Sequence, residues 1–343
     1  MNSESSLVRD VLLEYGGIAQ EAVRGYLTTA ARDDDVYRLA ADYPLRGGRA
    51  LRASFCIAAA RVFGAPISDA VESAVSLELL HNSFLVRDDV EDESEERRGA
   101  PALHVLHGVP TAVNVGDALT VLGLRPLLRN RALLGPDLAW QILREAERMV
   151  RESVEGQALE LRWRIENTLE LTDDDYLKMT LKKTCWYTTI YPSRVGALIA
   201  TRGAVDLDRF VRFGFFLGAA FQIQDDLLNL VGDHASYGKE MDGDLGEGKR
   251  TLMLIHLLRG APGRDKTRLA RVLAQPRSAR RRADIRWIRE RMDRHGAIDH
   301  ARQVAHALAG AAMHEFKVAY EGAPDSRDRR FIEALPYWVL ERT

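Results

Sequence analysis

Apolar residues recur at helical spacing along almost the whole chain. Near the N-terminus they are four or eight positions apart, at Leu7, Val11, Ala19, Val23 and Leu27. The same pattern returns in 140–164, 210–230 and 301–320, and it is typical of amphipathic helices. No useful length of sequence alternates between apolar and polar residues as a strand would, and Gly and Pro cluster between the periodic runs. We therefore predict an all-α protein, a bundle of many helices.

The chain shows no linker. Its 343 residues would allow two domains on length alone. The region richest in Pro, Gly and Arg, 260–275, is short and leads back into helical sequence. We predict a single domain over residues 1–343.

Composition and charge exclude several classes of protein. Hydrophobic residues make up 46% of the chain and charged ones 29%, enough to bury a large core. The net charge of −2 gives no overall field that would favour nucleic acid. The stretch 277–294 is locally basic; we interpret it as a solvated helix face and loop, with an acidic partner or substrate as the alternative.

The prediction of cellular location rests on sequence features that are missing from the chain. The two cysteines, Cys56 and Cys185, have no metal-ligand spacing and suggest no disulfide framework, which is typical of a reducing cytoplasm. The first residues do not have the pattern of a signal peptide. No apolar run is long enough to span a bilayer. We therefore expect a cytoplasmic protein without a membrane span.

A first cluster of carboxylates, Asp88-Asp89-Val90-Glu91-Asp92, ends an apolar helix that begins near Ala70. Asp88 and Asp92 are four positions apart and so lie on one helical face. Like charges at this spacing repel, and the negative end of the helix dipole disfavours them further. A divalent cation would offset both effects, and magnesium prefers carboxylate oxygens together with substrate phosphates.

A second cluster, Asp225-Asp226 with Asn229, comes at the end of the apolar run 213–221. One such cluster alone would fit a solvated helix end equally well. Two clusters, each ending an apolar helix, predict a site in which they face each other and hold several magnesium ions around one diphosphate.

Basic side chains accompany both clusters. They are Arg49, Arg52, Arg97, Arg98, Lys183, Lys239, Lys249 and Arg250. Ion pairs with the carboxylates are the simplest interpretation. The alternative is that metals on one side and guanidinium or ammonium groups on the other bind phosphate oxygens together.

Three segments together resemble trans-polyprenyl diphosphate synthases. The run 80–99, with its acidic cluster followed by Arg97-Arg98-Gly99, is similar to the first aspartate-rich motif of that family. The run Phe221–Asp226 is similar to the second motif, and 237–239 with 244–251 to the segment after it. The resemblance covers about residues 47–256, in the family's order.

The resemblance implies a fold and a set of roles. The fold is the isoprenoid synthase type, an all-α homodimer in which each bundle surrounds a deep central cavity. Three Mg²⁺ ions would be bound by Asp88, Asp89, Asp92, Asp225, Asp226 and Asn229. The allylic diphosphate would also contact Arg97, Lys183 and Lys239, and isopentenyl diphosphate would contact Arg49, Arg52, His81 and Arg98. Thr184 and Gln222 would surround the reacting carbons. A buried core histidine is the alternative for His81.

Three positions depart from the family's pattern. Asn229 stands where the second motif ends in Asp, although an amide oxygen is still a ligand. Arg49 stands where Lys is usual, and Ala50 where many members have a second basic residue. Arg49 and Arg52 together keep positive charge for isopentenyl diphosphate.

The predicted reaction joins isopentenyl diphosphate to dimethylallyl, geranyl or farnesyl diphosphate. Phe84 lies one turn before Asp88 and Ser83 is beside it, with Leu80 and Leu77 further down. A growing tail that is anchored at its diphosphate is expected to pass these side chains. The resemblance implies that aromatic residues at both position 83 and position 84 give a fifteen-carbon product. Ser83 is small, so we predict geranylgeranyl diphosphate, with farnesyl diphosphate second; for Phe84 the alternative is ordinary core packing.

The bulky side chains of the run 183–192 would act against a long product. Trp163, Trp186 and Tyr187 are interpreted as core residues in preference to cavity lining. Pro192 is predicted to end or kink its helix, and crowding there would shorten the product.

Two rival functions remain open. A class I terpene cyclase shares the fold and the metal chemistry, and 232–240 matches part of its second metal motif but lacks the Asn. A regulatory subunit of a heteromeric synthase would normally lose aspartates, and both clusters here keep their leading pair.

Overall fold

The computed structural model describes residues 3–31, 34–232 and 241–342 and confirms the predicted all-α architecture. The first half contains α1 (Ser3–Ala30), α2 (Val36–Ala40), α3 (Asp42–Leu45), α4 (Leu51–Val62), α5 (Ile67–Asp92), α6 (Leu103–His107), α7 (Val109–Leu134) and α8 (Pro136–Ile165). The second half contains α9 (Asp173–Thr180), a π-helix (Leu181–Ile190), α10 (Tyr191–Thr201), α11 (Arg209–Val231), α12 (Gly243–Glu247), α13 (Leu252–Gly260), α14 (Gly263–Leu273), a 3₁₀ turn (Arg277–Ala279), α15 (Arg282–Arg294), α16 (Ala297–Ala319) and α17 (Arg327–Leu340). A two-residue hairpin pairs β1 (Glu96–Arg97) with β2 (Ala100–Pro101).

Glycines allow the helices around the centre to approach closely. A Cβ on Gly196 would lie 2.5 Å from Cβ of Ala59, so α10 packs directly against α4. On α11, a Cβ on Gly214 would lie 2.7 Å from Ile190 and one on Gly218 would lie 2.7 Å from Thr189. These contacts hold α11 against the π-helix and so bring the second acidic cluster towards the residues that follow Lys183.

The helix that carries Lys183 changes type and continues past Pro192. The π-helix ends at Ile190 and α10 starts at Tyr191, with Pro192 in its first turn. Pro192 has no backbone N–H to donate to the preceding turn, so the hydrogen-bond spacing of the helix can change there. The hydroxyl of Ser193 donates to the carbonyl of Thr189 across the junction, at 2.9 Å. The predicted break at Pro192 therefore takes the form of a switch from π to α geometry.

Both cysteines lie in the core. Cys56 and Cys185 are free and buried, and burial raises the pKa of the Cys56 thiol to about 12. Within the described ranges, no helix is long and apolar enough to cross a membrane.

Candidate active site

A cavity of about 640 Å³ opens between α4, α5, α8, the π-helix and α11, and its size is typical of small-molecule sites. Most of the predicted site residues line it. They are Arg49, Arg52, His81, Phe84, Asp88, Arg97, Arg98, Lys183, Thr184, Gln222, Asp225, Asp226 and Lys249. Four others, Ser83, Asp89, Asp92 and Asn229, lie behind this surface. Lys239 lies outside the described residues.

The end of α5 forms one acidic wall. Asp88 faces the cavity, 3.3 Å from the ammonium of Lys183 and 3.6 Å from the guanidinium of Arg97. Asp89 is fully buried; it accepts hydrogen bonds from Nε of Arg97 at 3.0 Å and from the hydroxyl of Tyr43. Asp89, the neighbour of Asp88 on the helix, therefore holds the Arg97 guanidinium that lines the cavity.

Asp92 is buried on the same wall between two cations. Lys249 lies 2.7 Å from one oxygen, and Arg164 donates to the other. Burial raises the pKa of Asp92 to about 7; Lys249 opposes that rise and the carboxylate of Asp88 adds to it. An additional cation near Asp88 would therefore also stabilise the ionised form of Asp92.

A network of buried charges that the sequence does not predict ties this wall to the end of α12 and to the loop after it. Glu247 is buried; one of its oxygens is 2.8 Å from Lys249, and the other accepts from Arg277, at 2.8 Å, and from Ser94. Arg277 also donates to the backbone carbonyl of Asp92, at 3.2 Å. The basic stretch 277–294 is therefore not only a solvated face, because its first arginine supports the site. No spacing in the sequence signals this contact.

The end of α11 forms the opposite wall, and its buried acid, Asp226, has neutral hydrogen-bond partners. Asp226 accepts hydrogen bonds from the hydroxyl of Tyr176 and the amide of Gln222, each at 2.8 Å. Burial and the nearby carboxylate of Asp244 raise the pKa of Asp226 to about 8. Asp225 is partly exposed to the cavity and lies 3.8 Å from Arg342.

Asn229 lies behind this wall. Its side-chain oxygen accepts from the backbone N–H of Asp244, at 3.1 Å. Asp244 itself lines the cavity and lies 3.6 Å from Lys249. Asp244 belongs to a segment that carried the resemblance, but the sequence analysis assigned it no role.

Cations line the side of the cavity next to α4. The guanidinium of Arg52 lies 4.5 Å from the centre of the Tyr187 ring and 3.4 Å from Nε2 of His81. The guanidinium of Arg98 donates to the backbone carbonyl of Tyr43. Arg49 is exposed at the rim, over the ring of Trp338. The chain turns sharply here, because Gly47 and Gly48 have φ values of 88° and 148°, which favour glycine.

Lys183 and Thr184 project from the first turn of the π-helix. Lys183 forms ion pairs with Asp88 and with Glu160 of α8, and these carboxylates keep the pKa of Lys183 above its usual value despite burial. The Thr184 hydroxyl donates to the side-chain oxygen of Gln222, at 2.7 Å. This bond links the π-helix to α11 beside Asp226.

The residues that were predicted to limit the length of the prenyl tail face different directions. Phe84 lines the cavity. Ser83 is buried and donates to the carbonyl of Gly116 on α7, at 2.8 Å. Leu80 and Leu77 are also core residues behind the lining. Of the four residues that the tail is predicted to pass, only Phe84 therefore lines the cavity, and Ser83, Leu80 and Leu77 lie behind its surface. Residues three and four positions before Asp88 on α5 face the cavity, whereas the residue five positions before it faces α7.

The aromatic residues of the run 183–192 also separate. Trp163 and Trp186 are buried in the core, as predicted. Tyr187 lines the cavity, so its interpretation as a core residue was wrong. Trp186 and Tyr187 are adjacent, and consecutive helical positions point in different directions.

The donor set fits divalent cations that are shared with a phosphate ligand. In the ranges that the structure describes, no three His, Cys, Asp or Glu side chains converge on one point. Asp88 stands on one wall, with Asp225, Asp226 and Asp244 on the other side of the cavity. Magnesium is usually bound by one or two carboxylates and completes its shell with water and substrate phosphates, which matches this divided arrangement.

Residues 34–292 match the family described as polyprenyl synthetase. The chain belongs to this family. It is therefore a prenyl diphosphate synthase, an enzyme that transfers prenyl groups, and the predicted fold and enzyme class are confirmed. The synthase is 30% identical over 342 residues to the short chain isoprenyl diphosphate synthase of Methanothermobacter thermautotrophicus, with 98% of each chain covered.

Solved structures share the whole architecture. Geranylgeranyl pyrophosphate synthetase from Pyrococcus horikoshii superposes with a TM-score of 0.84 at 27% identity and covers 100% of both chains. Geranylgeranyl pyrophosphate synthase from Corynebacterium glutamicum, complexed with isoprenyl diphosphate and magnesium, has a TM-score of 0.81 at 25% identity and covers 99% of both chains. The all-α arrangement of the synthase is thus that of known prenyl synthases.

Proposed function

We propose that the synthase condenses isopentenyl diphosphate with an allylic diphosphate and releases mainly geranylgeranyl diphosphate. The product length is proposed from Phe84, which lines the cavity one turn before Asp88, and from the similarity to geranylgeranyl pyrophosphate synthases. One observation carries the condensation itself. A single cavity has carboxylates on two walls, at Asp88 and Asp225, and guanidinium groups at Arg52 and Arg98 on the side next to α4. That arrangement suits two anionic substrates, one bound through metal ions and the other bound directly by arginine.

The metal-bound substrate is the allylic diphosphate. Asp88, Asp225 and Asp226 would hold Mg²⁺, three ions in all, with Asp89, Asp92 and Asn229 supporting them from behind. When bound, Mg²⁺ neutralises charge on the diphosphate oxygens and so favours their departure. Lys183 and Arg97 would donate to the same oxygens, and preorganised donors of this kind are most effective where charge develops.

The directly bound substrate is isopentenyl diphosphate, at Arg49, Arg52, His81 and Arg98. Its double bond attacks the allylic carbon from which diphosphate departs, and the proton lost afterwards goes to the departing diphosphate. Thr184 and Gln222 lie beside the reacting carbons. Apolar lining from Phe84 and Leu161 keeps water away from the allylic cation.

A homodimer is expected from the surface of α7. Apolar side chains on one side of this helix are between 42% and 68% exposed: Val113, Val121, Leu124 and Leu128. An exposed apolar stripe of this kind typically marks a protein interface. Light scattering on the wild type should give the dimer mass, and a Leu124→Glu, Leu128→Glu variant should give the monomer. A monomeric wild type would contradict the assignment.

The product assay tests the function. The chain is incubated with Mg²⁺, isopentenyl diphosphate and each allylic primer, and chain lengths are measured by mass spectrometry. Geranylgeranyl diphosphate is expected. Farnesyl diphosphate as the main product would contradict the length alone, and products longer than twenty-five carbons would contradict the argument from Phe84. A hydrocarbon formed from one allylic substrate would identify a cyclase, and inactivity of the isolated chain would favour a regulatory subunit.

A further inference from the structure

Tyr187 and Phe84 face each other across the cavity, one helical turn away from the charged layer. Asp88 and Lys183 form that layer, with 3.3 Å between carboxylate and ammonium. Four residues before Asp88 on α5 is Phe84, and four residues after Lys183 on the π-helix is Tyr187. The two rings meet edge to face with 5.7 Å between their centres, which is a favourable geometry for an aromatic pair.

The pair lies where the cavity ends between these two helices. Phe84 and Tyr187 both line the cavity. One further turn away, Leu80 on α5 and Tyr191 on α10 are 2% and 0% exposed and lie in the core behind the lining. A chain that extends between α5 and the π-helix, away from the diphosphate, therefore meets the two rings before it meets the core.

We propose that Tyr187, on the π-helix that faces α5, determines product length together with Phe84. We call these two residues the aromatic gate. This inference rests on the proposed chain-elongation function. Ser83 is buried, donates to a carbonyl of α7 and does not line the cavity, so the second ring beside Phe84 comes from the π-helix. Elongation stops when the tail reaches the aromatic gate and the next isopentenyl unit finds no room.

The Tyr187 ring also contacts two residues of the proposed isopentenyl diphosphate site. The guanidinium of Arg52 lies 4.5 Å from the centre of the Tyr187 ring, and the His81 ring stacks on it at 5.7 Å. These contacts fix the ring between the proposed isopentenyl diphosphate site and the tail. They involve the faces and edges of the ring, so the inference assigns the effect to the ring itself and not to its hydroxyl.

The first test changes the size of residue 187 in both directions. Tyr187→Leu should lengthen the main product by at least one isoprene unit, and Tyr187→Trp should shorten it. Tyr187→Phe should keep the wild-type product, because the ring remains. Product lengths are measured at saturating isopentenyl diphosphate. Under this condition a role limited to supporting Arg52 would change KM for isopentenyl diphosphate or shorten the product, and would not lengthen it.

Thr188→Val is the matched control. Thr188 is the next residue, is buried behind the lining and has no hydrogen-bond partner for its hydroxyl. Its replacement changes the same helix without changing the cavity, so the product should stay as in the wild type. Lengthening by Thr188→Val would show that any disturbance of the π-helix has the effect and would overturn the assignment to Tyr187.

Combining the changes tests the pairing. Phe84→Ala should lengthen the product by itself, and Phe84→Ala with Tyr187→Leu should give longer products than either change. An active Tyr187→Leu variant that makes the wild-type product overturns the aromatic gate while the proposed function stands. A wild-type chain that elongates no primer overturns the proposed function itself. If Tyr187→Leu does not fold, unchanged product from Tyr187→Trp overturns the gate.

Discussion

The two acidic walls carry similar sequence patterns but balance their charge in different ways. On α5, Asp89 and Asp92 are buried and bonded to Arg97, Lys249 and Arg164. On α11, Asp226 has the hydroxyl of Tyr176 and the amide of Gln222 as partners. Permanent cations thus pair with the buried aspartates of the first wall, whereas Asp226 on the second wall has neutral partners and is stabilised by a proton or by an added cation. The difference shows that an aspartate motif supplies the carboxylates of the site, whereas the residues packed around it determine how their charge is balanced.

The largest expected effect comes from the carboxylate of the first wall that faces the cavity. Asp88→Ala should reduce turnover about a thousandfold or more, since charge stabilisation by a bound metal contributes several kcal/mol. Steady-state kinetics at saturating Mg²⁺ measure the loss. Asp299→Ala, an exposed carboxylate paired with Arg302 outside the cavity, should retain wild-type turnover. Near-normal turnover of Asp88→Ala would contradict the placement of metal ions at this wall.

The next effect tests whether permanent cations balance the first wall. Lys249→Met should destabilise the protein by about 3 kcal/mol, because it removes a buried cation from Asp92 and Glu247 and leaves each with a single arginine, Arg164 or Arg277. Chemical denaturation measures the free energy of unfolding. Lys182→Met removes a half-exposed lysine that pairs with Glu152 and Glu155 and should cost under about 1 kcal/mol. Equal losses in the two variants would contradict the role of Lys249 as a buried cation that balances the first wall.

A pH effect tests the second wall. The pKa of Asp226 is raised from 3.8 to about 8. Between about pH 4 and pH 8 the folded protein therefore holds a proton that the unfolded chain has released, and this contribution to stability is lost as pH rises. The metal-free wild type should lose melting temperature between pH 6 and pH 8 relative to Asp226→Asn.

Metal binding should remove this dependence, because an ion at the second wall stabilises the deprotonated carboxylate. Melting curves with Mg²⁺ and inorganic diphosphate should converge for pH 6 and pH 8. A wild-type melting temperature that does not fall between pH 6 and pH 8 relative to Asp226→Asn would show that Asp226 is already ionised in the metal-free protein.

The smallest expected effect concerns Asn229, which stands where the second aspartate motif of the family ends in Asp. Asn229→Asp should change turnover by less than about fivefold, since its oxygen still accepts the hydrogen bond from Asp244, and such a bond contributes about 1 kcal/mol. Kinetics at several Mg²⁺ concentrations measure the change. A large gain in turnover would mean that Asn229 limits metal binding and that the walls differ by ligand type more than by charge balance.

The local pattern predicted the helices and most of the cavity lining. Asp88 and Phe84 fall on one face of α5 because residues four positions apart share a face, and both line the cavity. The same reasoning failed at Ser83 and at Tyr187, since the facing partner of each helical position is set by packing. Ser83 meets α7, and Tyr187 meets Phe84.

The sequence by itself determined the all-α class, the family and the identity of the charged side chains, because periodicity and motif order are local properties. Only the tertiary structure decided which carboxylates face the cavity, which cations neutralise the rest, and which rings close its end. Arg277 reaches Asp92 across 185 residues, and Tyr187 reaches Phe84 from another helix. Such contacts depend on how the helices pack in space, which spacing along one helix does not encode.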